Sequence, residues 1–247
     1  MLLVSRDGGV LRVTLNRPDK KNALTGAMYR ALTAAFEDAA QEPGIGAILV
    51  EGAGGNFTAG NDIADFSALA QSLGAFPALD FIRALARCDM PLVAAVDGVA
   101  IGIGTTMLFH CDLVYAAPAA RFRMPFVDLG LVPEAGASLL VPQRVGLQKA
   151  AEWLLLGEAF GAEEACRIGL VNGIVASGEL AEHALSRAHA LAAKPRAALA
   201  ATRRLIRGDR SGLLDRIEEE ARAFGIAMRS VEARAAFAAF LGKTKKS

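Results

Sequence analysis

The chain has 247 residues, 53% of them hydrophobic, which is ample for one large domain or for a core with an appendage, with disorder expected only at the ends. Lys plus Arg (27) nearly equal Asp plus Glu (26), so no global field favours nucleic acid or a membrane surface, and an anionic ligand must be held by local charge. Cys88, Cys111 and Cys166 are odd in number and widely spaced in apolar surroundings, which suits reduced cysteines in an intracellular, cytoplasmic protein.

No zinc spacing exists, and His110, His183 and His189 make no obvious ligand set, so no metal is expected. The first seven residues lack a basic segment followed by a hydrophobic one and do not read as an export signal. The longest apolar region is interrupted by Asp97 and by glycines, so membrane insertion is not expected either.

In chain order, residues 10–16 alternate Leu11, Val13 and Leu15 with Arg12 and Thr14, the period of a half-buried strand. A polar turn with three cations follows, Asn16-Arg17-Pro18-Asp19-Lys20-Lys21-Asn22. Thr25 is placed to cap a helix whose inner face carries Leu24, Met28, Leu32, Ala35, Phe36 and Ala39. Residues 45–51 read as a second strand. It runs into the glycine-rich stretch 52–62, after which residues 63–73 have helical character, with Asp62 placed as a cap.

The central stretch, residues 90–112, opens with the wholly apolar run Leu92-Val-Ala-Ala-Val96, consistent with a strand buried on both faces. Gly98, Gly102 and Gly104 then allow backbone conformations and approaches that a side chain would block, and residues 105–111 have the weight of a buried helix. A strand, a glycine turn and a helix start are ordinary core architecture. They also leave unpaired N–H groups that can hold a phosphate or an oxyanion. A dinucleotide fingerprint fits poorly, because only two of its three glycines are present and residues 122–127 offer no ribose-binding acid.

Beyond it, short strands are expected at 113–117 and 121–124, a loop at 126–136, helices near 138–145 and 148–156, and a helix and strand at 163–168 and 171–176. From residue 179 onward strands disappear and helical patterns run to residue 241, with breaks expected near Pro195, Gly208 and Gly212. A boundary near residue 195 divides a core, 1–194, from a helical C-terminal region, 195–247. The apolar stripe of that region needs a partner surface in the same chain or in another subunit.

Six segments in register carry a resemblance. They are Asn16-Arg-Pro18 with Asn22-Ala23-Leu24; Phe57-Thr-Ala59-Gly60-Asn61-Asp62-Ile63; Asp97-Gly98 through Gly104; Cys111-Asp112 through Ala116; Phe122 with residues 130–133; and Gly157-Glu158 with residues 165–171. Together they resemble the crotonase family, the enoyl-CoA hydratases and isomerases. The resemblance implies an α/β fold, a spiral of ββα turns with a C-terminal helical trimerisation region. It also implies an acyl-CoA thioester as substrate, no further cofactor, and a homotrimer or dimer of trimers.

By position, the main-chain N–H groups of Asn61 and Ile103 are the implied oxyanion hole, although Ile103 stands where many members have glycine. Its side chain must therefore point away from the acyl group. The two glutamates with which family hydratases hold water are replaced by Thr106 and Phe126, which disfavours ordinary hydration. Glu134, in Pro133-Glu134-Ala-Gly136, resembles the catalytic glutamate of the Δ3,Δ2-enoyl-CoA isomerase branch; otherwise it is an acid opening the next helix.

Asp128 is read mainly as a structural acid bonded to loop backbone, with catalysis the lesser reading. For CoA the resemblance points to Lys20, Lys21, Ala23, Ala59, Asp62 and Ile63, together with Phe240 and Lys243 reaching from a neighbouring subunit. The expected activity is migration of a double bond from Δ3 to Δ2. The alternatives are an enoyl-CoA hydratase or other enolate chemistry, and an inactive acyl-CoA-binding or assembly protein.

Overall fold

The computed structural model describes residues 1–66 and 76–244, with only the main chain of Lys243 and Thr244. Six strands form the main sheet: β1 (Leu2–Asp7), β2 (Val10–Leu15), β3 (Ala47–Gly52), β4 (Leu92–Val96), β6 (Leu113–Ala116) and β9 (Gly173–Ile174), in the order β1-β2-β3-β4-β6-β9. Only the β1–β2 pair is antiparallel; the remaining pairs are parallel. A second sheet, β5 (Val99–Ile101), β7 (Arg121–Arg123) and β8 (Phe160–Gly161), takes the order β5-β7-β8.

The continuous apolar runs of β3 and β4 are explained by a two-sided core. Ile48, Val50, Leu92, Ala94 and Val96 join the larger hydrophobic cluster, while Ala47, Leu49, Val93 and Ala95 join a smaller one on the opposite face. Parallel strands covered on both faces lose the polar alternation of a half-exposed strand. The smaller cluster is closed by Leu180, Ala184 and Ala188 of a long helix, α7 (Ser177–Ala192).

The larger cluster is closed first by α1 (Gly26–Gln41) and α2 (Pro77–Arg87). The Thr25 side chain accepts from Met28 N at 3.3 Å, a cap worth about 1 kcal/mol, and the expected inner face of α1 is buried throughout. After β5 come the short α3 (Ile103–Thr106) and a 3-10 turn (Met107–His110), where the sequence pattern suggested one continuous helix. α4 (Ala137–Val145), α5 (Leu147–Leu154) and α6 (Ala162–Arg167) follow.

The C-terminal helices are α8 (Arg196–Arg207), α9 (Ser211–Ala227) and α10 (Val231–Thr244). Ile217, Phe224, Met228, Ala233 and Phe237 are buried in the same cluster as β2 and α1. Arg203 and Arg207 bind Asp112 at 2.8 and 2.9 Å, so the apolar stripe of these helices finds a surface within the chain. Gly212 lies in the first turn of α9 rather than in a break. The chain turns instead at 208–210, where Asp209 accepts from Ser211 N, and at 228–230, where Ser230 Oγ accepts from Ala233 N.

Besides the short strands β5 and β8, two elements carry no clear sequence signal. β1 is an exposed edge without alternation, and α2 follows directly on residues 67–75, which lie outside the described part and include most of the expected helix 63–73. The strand expected at 171–176 shrinks to Gly173–Ile174.

Candidate active site

Two glycine loops are zipped together by main-chain bonds. Phe57 N donates to Asp97 O (2.7 Å), Thr58 N to Val99 O (2.9 Å) and Ile101 N to Thr58 O (3.0 Å). The approach leaves no room for side chains: a Cβ on Gly60 (φ 84°) would stand 2.6 Å from Ile101 O, and one on Gly104 would stand 2.6 Å from Thr58 Cγ2.

Leu24 then fixes the first loop from its other side. Its N–H donates to Gly60 O (2.7 Å), and its carbonyl accepts from Asp62 N (2.9 Å). When the residues before and after Asn61 bond to Leu24, the Asn61 N–H faces the opposite way. The Asn61 side chain is held by the Tyr29 hydroxyl, which donates to Oδ1 at 2.5 Å.

In the second loop Gly102 N donates to Arg123 O, and Gly102 O accepts from Thr105 N and Thr106 N. Ile103 is the first residue of α3, a position without an intrahelical acceptor for its N–H. Among the described residues neither the Asn61 nor the Ile103 N–H has an acceptor. The Ile103 side chain is 1% exposed and packed in the larger core, away from the lining of both neighbouring cavities.

Two cavities meet at Asn61, Phe66 and Phe224. The larger encloses about 800 Å³, its open mouth included, and is walled mainly by apolar side chains of α1, α2 and α9, with Glu134 among them. The smaller, about 410 Å³, is lined by Ala59, Ile63, Gly102 and Phe126 among others.

Glu134 is 8% exposed, and Thr106 Oγ1 donates to its Oε1 at 2.6 Å. Burial drives its carboxyl up to about 8; the Thr106 hydroxyl pulls the other way, and the charge of Glu220 adds to the rise. No cation pairs with it among the described residues. Behind it, His110 Nε2 lies 2.7 Å from Ala135 O. Burial lowers His110 to about 4, so the neutral ring donates from Nε2 to that carbonyl.

Burial separates the other sequence candidates from Glu134. Asp62 caps residues 64 and 65, whose N–H groups donate to Oδ1 at 3.0 and 3.1 Å, and it takes a 2.5 Å contact from Arg17. Burial opposes its ionised form, but Arg17 and the two N–H groups outweigh it and hold the carboxyl below its ordinary range. Asp128 lines neither cavity. Its partner is the Arg123 guanidinium, at 2.8 Å on the exposed surface, where loop backbone had been expected.

Lys20 and Lys21 are exposed, and their turn is tied to the first loop by Ala59 N donating to Lys21 O (2.8 Å) and by Arg17 donating to Ala23 O (3.2 Å). Phe240 lies on α10, 47% exposed, and the Lys243 side chain is outside the described residues.

Four contributors escaped the sequence reading. Thr106 was noted only as a missing base, Tyr29 and His110 sit in apolar helical runs, and Glu220 is one acid in an ordinary charged helix. Only the fold brings them to residues 61 and 134.

A family model described as enoyl-CoA hydratase/isomerase matches residues 5–247. The chain belongs to that family. Its fold is the crotonase fold: OdaA of Pseudomonas aeruginosa superposes with a TM-score of 0.93 at 41% identity, over 97% of this chain and 98% of that one. Among curated relatives, enoyl-CoA delta isomerase 2 of Rattus norvegicus is 34% identical over 89% of this chain, which spans only 57% of the rat protein's length. A probable enoyl-CoA hydratase of Rhodobacter capsulatus is 36% identical over 95% of this chain and 92% of its own.

Both activities therefore occur in the names of its relatives, and the chain is an acyl-CoA enzyme of the hydratase/isomerase family. Among the described residues no helix is long and apolar enough to cross a membrane.

Proposed function

We propose that this family member moves a double bond from Δ3 to Δ2 in an acyl-CoA, with Glu134 as the proton shuttle. The observation that carries the reading is one buried carboxyl, raised to about 8 and facing an apolar cavity, where Thr106 and Phe126 stand in place of the hydratases' paired acids.

The ionised Glu134 removes a proton from C2. The C2–H electrons form the C2=C3 bond, the former C3=C4 electrons take a proton at C4 from the same carboxyl, and in between the thioester oxygen bears the negative charge. The N–H groups of Asn61 and Ile103 are the donors for that oxygen, at a scale of a few kcal/mol for such a donor. A high carboxyl pKa makes a stronger base, although only roughly a tenth of it is ionised at pH 7. The Thr106 hydroxyl favours that ionised fraction.

The reaction needs no metal and no organic cofactor. The thioester end of the substrate belongs in the smaller cavity, beside Ala59 and Ile63, with Asp62, Lys20, Lys21 and the Ala23 carbonyl at the adjoining turn for the CoA moiety. We read the protein as cytoplasmic and as a homotrimer or dimer of trimers. Exposed Leu205, Ile206, Ile226 and Val231 on the C-terminal helices support subunit packing, with Phe240 and Lys243 serving a neighbour's nucleotide.

Glu134→Gln is expected to cut conversion of 3-enoyl-CoA to 2-enoyl-CoA by about 10³-fold while leaving CoA affinity near wild type. Retained turnover would remove Glu134 from the chemistry. Solvent oxygen appearing in a 3-hydroxyacyl product would favour hydration instead.

A further inference from the structure

Among the described residues, no main-chain hydrogen bond ties the turn that carries Glu134 to either sheet. Ala135 (φ 57°) and Gly136 (φ 73°) are both left-handed, a conformation that for alanine costs about 1–2 kcal/mol. A group outside the turn has to hold it.

His110 holds the Ala135 carbonyl from one side, and the hold on the following residues comes from α9. Glu220, 6% exposed, accepts from Gly136 N at 2.7 Å through Oε2 and from Ser138 N at 2.8 Å through Oε1. Both donors belong to the start of α4, where N–H groups have no partner within the helix, and a carboxylate bound through both oxygens is favoured in its ionised form. One turn away on the same helix, Ile217 and Phe224 wall the larger cavity.

We propose that Glu220 is a positioning residue for the proton shuttle, gripping the 135–138 turn so that Glu134 faces the acyl cavity. This inference rests on the reading of Glu134 as the shuttle.

The groups facing Glu134 are the Tyr29 phenol from α1, the Thr106 hydroxyl from α3 and Glu220 from α9, with neutral His110 behind Ala135. Glu220 itself faces Glu134, the Ser138 N–H and Arg216 of its own helix; Arg216 is shared with Glu219 at 3.0 Å. Burial raises both carboxyls; the Ser138 hydroxyl, the Ser138 and Gly136 N–H groups and Arg216 oppose the rise at Glu220, and the negative charge that these donors favour there makes Glu134 harder to ionise.

Two variants separate the grip from the charge. Glu220→Gln keeps the shape and removes the charge; Glu220→Asp keeps the charge and draws it back by one methylene. The readouts are the Glu134 carboxyl titration by infrared difference spectroscopy, with Glu134→Gln identifying the band, and the kinetics of C2 deuterium exchange into an acyl-CoA.

In Glu220→Gln the Glu134 midpoint is expected below that of the wild type. In Glu220→Asp the midpoint holds, while kcat for exchange falls about tenfold with KM within about twofold, the scale of a small misplacement of a reacting group. Should Glu220→Gln not fold, Glu220→Asp carries the test alone. Wild-type titration and kcat in the variants, or losses confined to Tm, would overturn the proposal. Absence of exchange in the wild type would count against the isomerase reading, and the infrared titration would still decide whether Glu220 governs Glu134.

Discussion

Asp62 and Glu134 both stand where a loop opens toward helical structure, and the fold treats them in opposite ways. Asp62 receives two N–H donors and the Arg17 guanidinium, and it ionises more readily than an ordinary aspartate. Glu134 receives one hydroxyl, no cation among the described residues and an apolar wall, and it ionises with difficulty. An acid wrapped in donors is a fixed charge that holds a loop. An acid kept short of donors in a dry cavity retains enough basicity to take a proton and enough acidity to return it.

The sharpest test of that contrast is the sign of two pH dependences. Asp62 has a lowered folded pKa, so its stabilisation is present above the ordinary aspartate range and is lost as pH falls through the folded value. Glu134 has a raised one, so its contribution is intact below about 4.5 and is lost as pH rises toward about 8. Glu134→Gln is therefore expected to be more stable than the wild type at pH 8, by about 4 kcal/mol, and equal to it near pH 4.5. Asp62→Asn is expected to cost about 1–2 kcal/mol at pH 7 and less as acid protonates the wild-type residue. Urea unfolding across this range measures both, and effects of the same sign at pH 8 would break the contrast.

The parts of this arrangement that could be read in the sequence are those encoded by neighbours along the chain. The buried run 92–96, the Thr25 cap and the glycines at 98, 102 and 104 are local requirements of backbone and packing, and each stands where it was expected. Family register added Asn61, Ile103 and Glu134 by position. The environment of Glu134 was illegible, because it is assembled from Tyr29, Thr106, His110 and Glu220, which no spacing rule connects. Edge strands such as β1 and two-residue strands such as β8 also left little trace, since neither buries enough of its own face to impose a period.

A smaller effect isolates the single donor to Glu134. Thr106 donates to the ionised carboxyl, so Thr106→Val should make Glu134 still harder to ionise. The acid limb of kcat/KM for isomerisation, set near 8 in the wild type, is expected to move upward. Turnover at pH 7 then falls about tenfold and recovers toward wild type in alkali, as base catalysis by the same group requires. Thr106→Ser should restore the wild-type profile. A profile unmoved in Thr106→Val would mean that the hydroxyl has no hold on the base.

The smallest effect is expected at Asp128, the other acid that the sequence offered for catalysis. Its side chain is 47% exposed and its partner Arg123 44%, where water screens the pair and the ionic contribution is small. Arg123 is also held independently, because its Nε donates to Gly157 O at 2.6 Å. Losing Asp128 therefore leaves its neighbour in place.

Asp128→Asn is expected to change unfolding free energy by under about 0.5 kcal/mol and kcat/KM by less than about twofold. Parallel measurement with Glu134→Gln then separates an acid made basic by burial from one that stands at the exposed surface. A tenfold or greater loss of kcat in Asp128→Asn would show that exposure had been the wrong criterion for choosing between them.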